Sequence, residues 1–187
     1  MLEKFVDKYI KYQTERGLLL DEEEGIYRYG YMLLLETIIN IVISLIIGLV
    51  MKDVLSVLIF LLAFVPLRSY AGGYHADKVW KCILLSNFCV FIVLLLSRVI
   101  DSLNCGNVLM SIDVIVSIII FLLAPVDSDK KVLSNNERKV YRMIVLFILV
   151  IQFVFCLLLR DRAEIVTLSN IIVLISMIKV PDRDTSR

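Results

Sequence analysis

Histidine is almost absent from this chain of 187 residues; the one present is His75, and a His-rich metal site is thereby excluded. Cysteine is scarce as well. The four cysteines, Cys82, Cys89, Cys105 and Cys156, follow no disulfide-scaffold spacing and include no CxxC pair of the zinc type. Neither a G-x-S-x-G elbow nor an H-E-x-x-H pair occurs, which sets aside the common serine-hydrolase and zinc-peptidase arrangements. Net charge is also lacking: +1 overall, with a pI near 7.6, gives no whole-protein field to attract nucleic acid, and no nucleic-acid partner is expected. The start of the chain has no basic run, short apolar core and small-residue cleavage site, so the N-terminus is expected to be kept. With no internal repeat, low-complexity tract or linker, residues 1–187 are expected to form a single integral membrane domain.

What the chain does have is apolar sequence. Hydrophobic residues make up 59% and mean hydropathy is +0.86, well above the composition of soluble domains. They come in blocks separated by charged punctuation, the pattern of membrane spans. An all-α polytopic membrane protein is predicted, because lipid demands that each spanning segment satisfy its own backbone groups. Six crossings are expected near 30–51, 54–67, 80–97, 106–126, 143–159 and 163–179, the second and sixth having short uncharged cores. Ahead of them, Leu2, Phe5, Val6, Tyr9 and Ile10 share one helix face, which suits an interfacial amphipathic segment over 1–24. A helix packed on the rest of the protein is the other reading. Asp21 and Glu24 form a capping-box-like start to the following helix.

Lysine and arginine alternate in density between these spans. The N-terminal segment, the connection with Arg68, Lys78 and Lys81, the connection with Lys130, Lys131, Arg138, Lys139 and Arg142, and the C-terminus are rich in them. The intervening connections hold only Lys52, Arg98, and the pair Arg160 and Arg162. Positive charge is retained on the cytoplasmic side, so both termini and the His75 loop are expected there.

That loop, 68–82, reads RSYAGGYHADKVWKC and carries the candidate chemistry. A cysteine nucleophile reacts as the thiolate, which a helix N-terminus and nearby basic groups favour. Cys82 starts the third span, Lys81 adjoins it, and His75 is the sole imidazole able to act as its base. On spacing alone, a small buried hydrophobe at Cys82 and a polar loop residue at His75 are the plainer readings, and Gly72-Gly73 could be an ordinary turn. The buried-hydrophobe reading is preferred for Cys89, Cys105 and Cys156.

The arginine, double glycine, histidine and cysteine of this stretch, set between two hydrophobic spans, resemble the accessory gene regulator B family of quorum-sensing peptidases. The similarity extends to chain length and the six-span hydropathy. It implies a membrane cysteine endopeptidase with His75 and Cys82 as the catalytic pair and Arg68 and Gly73, beside Gly72, in support. It further implies a short precursor peptide with an amphipathic leader and an acidic C-terminal tail, whose cleavage through an acyl-enzyme thioester leads to a thiolactone or lactone ring. No metal and no organic cofactor are implied, and a homodimer is. Lys130 and Lys131, with Arg138 and Lys139, are candidates to hold the acidic tail, although positive-inside topology accounts for them equally. The competing class is a non-enzymatic peptide transporter or membrane scaffold, in which the glycines form a gating turn.

Two carboxylates fall inside predicted spans, where burial is costly enough to call for a partner or a function. Glu36 lies one turn from the cytoplasmic side and is the better placed to support the catalytic region. Asp113 is deeper. Packing against Asn40 or a basic side chain is the plainer expectation for each. Finally, an unbroken helix over 70–82 would separate His75 from Cys82 by about 10.5 Å, too far for proton transfer. A break is therefore expected, its decisive part near Asp77, with the pair formed by a fold-back or between two protomers.

Overall fold

The computed structural model describes residues 2–20, 23–73, 79–102, 106–126, 134–158 and 160–178. Among them there are seven α-helices and no strand: α1 Leu2–Glu15, α2 Glu24–Val50, α3 Val54–Ala71, α4 Val79–Ser102, α5 Gly106–Leu123, α6 Asn135–Leu158 and α7 Ala163–Ile178. Helices α2, α3, α4 and α6 are long and apolar enough to cross a membrane, while Val108–Leu123 and Ala163–Ile178 are shorter apolar helices. The six apolar helices match the six expected blocks, and α1 precedes them.

The bounds differ where local chemistry overrides hydropathy. The fourth block, expected to reach residue 126, stops at Leu123 because Pro125 has no N–H to give and disfavours helical backbone before it. The fifth begins at Asn135 instead of residue 143, so Arg138 and Lys139, expected in a loop, lie within the first two turns of α6. The cause is a reciprocal capping box: Glu137 accepts from Ser134 N–H at 2.9 Å, and Glu137 N–H donates to Ser134 Oγ at 3.3 Å. Of the two blocks expected to be short, α3 reaches 18 residues by extending to Ala71, whereas α7 remains at 16, or about 24 Å of rise at 1.5 Å per residue. Asp21 lies outside the described residues.

The chain divides into two compact units, Met1–Ile43 and Ser44–Arg187. In the first, α1 buries Val6 and Ile10 and meets the start of α2 through an edge-to-face Tyr9–Tyr31 pair, a Gln13–Tyr31 hydrogen bond and an Arg28–Asp7 ion pair at 2.7 Å. Phe5 stays exposed, so the face read as continuous in the sequence is split between a packed part and an open part.

The second unit is built around α7. Ile165, Val166, Val173 and Met177 are buried, and α7 packs against α5, α3, α4 and α6. Two apolar clusters result. One joins Phe60, Ala63, Val90, Leu94, Cys156 and Val166; the other joins Leu67, Ile120, Val145, Leu149 and Met177. On α6, Val140, Met143, Phe147, Val154 and Leu158 point outward and exposed, as expected of a lipid-facing side. At one end of this bundle Arg162 donates to Asp53 at 3.3 Å and to Ser56 at 2.6 Å, tying the α6–α7 turn to the α2–α3 turn. Arg98 donates to the Met51 carbonyl at the same end. The end of α3 with Gly72 and Gly73, the end of α5, the start of α6 and the end of α7 meet at the other, which is the end richer in lysine and arginine.

Candidate active site

Helix α3 delivers Arg68 in its last turn and ends at Ala71. Gly72 and Gly73 then take φ of 78° and 119°, left-handed values that a side chain opposes. Tertiary contacts hold them there. The Val126 N–H donates to the Ala71 carbonyl at 2.9 Å, and Gly72 forms an isolated parallel bridge with Val126. A Cβ on Gly72 would run into the Val126 carbonyl oxygen; one on Gly73 would lie 2.9 Å from the Ser176 carbonyl oxygen and 3.0 Å from Arg68 Nη1. The double glycine is thus a wedge of bare backbone between the residues after α5 and the last turns of α7, not an ordinary turn.

Arg68 reinforces the wedge by donating through Nη1 to the Gly72 carbonyl. Its guanidinium also lies within electrostatic reach of Cys82, the fourth residue of α4, which is half-buried. Around them, Tyr70 and Tyr141 meet edge to face at 5.4 Å, and Arg142 Nε donates to the Ala124 carbonyl at 2.9 Å, so α6 helps fix the end of α5 that supports Gly72. Arg68, Gly72, Gly73 and Cys82 are therefore gathered at one end of the bundle by α3, α4, α5 and α7. An unbroken helix over 70–82 is excluded, since Gly72 and Gly73 are non-helical.

His75 and Asp77 fall outside the described residues, as do Lys130, Lys131 and Cys105. Arg138 and Lys139 stand on α6, Arg138 half-buried and Lys139 exposed. Glu36 is half-buried on the part of α2 that belongs to the first compact unit. Cys89 and Cys156 are free thiols, the latter buried. Among the described residues no group of three or more His, Cys, Asp or Glu side chains could hold a metal ion.

Asp113 has the partner that its burial demanded, but neither Asn40 nor a basic side chain: Asn170 Nδ2 donates to its Oδ1 at 2.9 Å. The central position of α7 decides this pairing, and no periodicity in the sequence marks Asn170. Gln152, another buried polar residue passed over in the sequence, donates to the Ala63 carbonyl at 2.9 Å. Its signal was present, as an amide in the middle of an otherwise apolar run.

Comparison with known proteins gives no matching curated protein and no matching solved structure. The family description "accessory gene regulator B" matches residues 2–180, nearly the whole chain. With six apolar helices and the arginine–glycine–cysteine end just described, the chain belongs to the accessory gene regulator B family, multi-pass membrane proteins of quorum sensing.

Proposed function

We propose that this chain is a membrane-embedded cysteine endopeptidase that removes the acidic C-terminal tail of a quorum-sensing precursor peptide and supports closure of the remaining peptide into a ring. The observation that carries the reading is the placement of Cys82 at the start of α4, within electrostatic reach of an Arg68 that is itself anchored on the Gly72 carbonyl. Positive charge beside a thiol favours the anionic, nucleophilic form.

In this mechanism His75 takes the thiol proton of Cys82 as the sulfur attacks the scissile carbonyl. The C–N bond breaks, the tail's amine leaves with the proton returned by His75, and the peptide stays on Cys82 as a thioester. A cysteine within the peptide then attacks that carbonyl and expels the Cys82 thiolate. One thioester replaces another, so the exchange is close to isoenergetic if water is kept out. A serine nucleophile would give a lactone. The precursor's acidic tail is met by Lys130, Lys131, Arg138 and Lys139. Both termini and the catalytic end face the cytoplasm, α1 lies in the membrane interface, and the working form is a homodimer.

The test is to incubate the purified chain in lipid vesicles with a synthetic precursor and look by mass spectrometry for the tail-less peptide attached to Cys82. A precursor with its internal cysteine replaced by alanine should accumulate this adduct. His75→Ala should prevent it from forming, and Cys82→Ala should abolish both adduct and free tail. Tail release by the Cys82→Ala chain at the wild-type rate would overturn the proposal.

A further inference from the structure

Two residues before Arg68, helix α3 contains Pro66, which has no N–H to give the Leu62 carbonyl and whose ring presses on that turn. Only Leu67, Arg68, Ser69, Tyr70 and Ala71 follow before the helix ends. That is little more than one turn. This short segment carries the guanidinium that donates to the Gly72 carbonyl and lies within electrostatic reach of Cys82. The angle at which the segment leaves Pro66 therefore sets where Arg68 stands.

Side chains reach the carbonyls around the proline. Gln152 Nε2 donates to the Ala63 carbonyl at 2.9 Å, and Ser69 Oγ donates to the Val65 carbonyl at 2.7 Å. A serine bonded back to the carbonyl four residues earlier favours a bend but ties the helix to nothing else. Gln152 comes from another helix. It is the amide among Val145, Leu149 and Cys156 in the buried stripe of α6, and it is 6% exposed. In an α-helix the Ala63 carbonyl faces the Leu67 N–H, so Gln152 holds the rung that spans the proline. Beyond Pro66, Leu67 shares a buried cluster with Val145 and Leu149. Helix α6 thus holds α3 on both sides of Pro66, by a hydrogen bond before it and by packing after it. Membrane helices tolerate proline where a neighbouring helix serves the backbone that it disturbs.

We propose that Gln152 is a positioning residue: its amide on the Ala63 carbonyl fixes the course of α3 past Pro66 and so keeps Arg68 on the Gly72 carbonyl and beside Cys82. The role rests on the reading of Cys82 as the nucleophile. Gln152 itself stands more than two turns along α6 from Tyr141 and Arg142, at the end where the site lies, and acts only through the helix that it holds.

The test reads the thiol directly and needs no precursor. The purified full chain in lipid nanodiscs is alkylated with iodoacetamide at neutral and at alkaline pH, and the rate at Cys82 is followed by mass spectrometry of the peptide that contains it. The ratio of the two rates reports how much thiolate the neighbourhood supports and cancels differences in access. Arg68→Gln should lower this ratio, and Gln152→Met, which keeps volume and removes the donor, should lower it about threefold. Added to Arg68→Gln, Gln152→Met should cause no further fall. In a Pro66→Ala background, where the Leu62 carbonyl regains its donor, Gln152→Met should leave the ratio where Pro66→Ala alone puts it. Gln152→Asn, whose amide is one methylene too short for the Ala63 carbonyl, should act like Gln152→Met and serves if that chain does not fold. A lowered unfolding temperature with an unchanged ratio would make Gln152 a packing residue and overturn the proposal. A further fall in the Arg68→Gln chain, or an equal fall with and without Pro66, would overturn it too. If Arg68→Gln itself matches the wild type, the electrostatic basis of the peptidase reading fails together with this role, whereas a fall with Arg68→Gln alone leaves that reading standing and removes only Gln152.

Discussion

The bundle has two polar regions, and they are made differently. At the glycine wedge the participants are mostly backbone: the Ala71 and Gly72 carbonyls accept hydrogen bonds, the Val126 N–H donates one, and the Arg68 side chain reaches in. In the middle of α5 and α7 the participants are side chains, because the helical backbone there already bonds to itself: Asn170 on α7 donates to Asp113 on α5. The difference teaches what each region tolerates. A backbone site excludes any added atom, whereas a side-chain site fails when one partner is removed and the other is left buried.

The largest expected effect comes from breaking the side-chain region. Asn170→Leu removes the donor to Asp113 and should lower stability by about 3 kcal/mol, at the upper end for a hydrogen bond to a charged group. Thermal or denaturant unfolding in detergent measures this, and precursor cleavage per folded molecule should be nearly unchanged. A loss of cleavage without a loss of stability would reverse the assignment of the two regions.

Breaking the backbone region should cost somewhat less stability and far more function. Gly72→Ala places a Cβ against the Val126 carbonyl at a φ of 78°, for which about 2 kcal/mol is expected. Because the wedge positions Arg68, cleavage by the folded fraction should also fall, and comparing unfolding curves with cleavage rates on one preparation separates the two effects. Gly72→Ala matching the wild type in both would show that the wedge opens at no cost.

Arg68→Lys sharpens the comparison further. An ammonium on a flexible stem cannot hold the Gly72 carbonyl and face Cys82 with the fixed fork of a guanidinium. Cleavage should drop by about tenfold, equivalent to about 1.4 kcal/mol in the barrier, with little change in unfolding temperature. Equal rates for the two chains would reduce Arg68 to a source of charge alone.

The smallest effect is reserved for the helix that borders the wedge from outside. Ser134→Ala removes one half of the capping box at the start of α6 and should cost about 1 kcal/mol. Amide exchange should quicken over the first turn of α6 and remain unchanged at Asn170. Destabilisation reaching α7 would mean that the two polar regions open together.

Hydropathy, charge alternation and one loop were enough to make the helical membrane architecture, the six apolar blocks and the grouping of Arg68, Gly72, Gly73 and Cys82 legible in the sequence. The reason is physical: lipid forces backbone groups to be satisfied within each segment, so composition alone sets the elements, and spacing in a short connection limits what its ends can reach. Helix ends were less legible, since Pro125 and the Ser134–Glu137 box act through local chemistry that a hydropathy window averages away. The partners were not legible at all. That Ser176 would bear on Gly73 and that Asn170 would meet Asp113 each depends on α7 running through the centre of its bundle, and that Val126 would bridge Gly72 depends on the end of α5 lying against the end of α3. Sequence determined that these residues were unusual for their surroundings; only the packing of helices distant in the chain decided which of them meet, because the close approach that satisfies a buried polar group or demands a glycine exists only once the bundle is assembled.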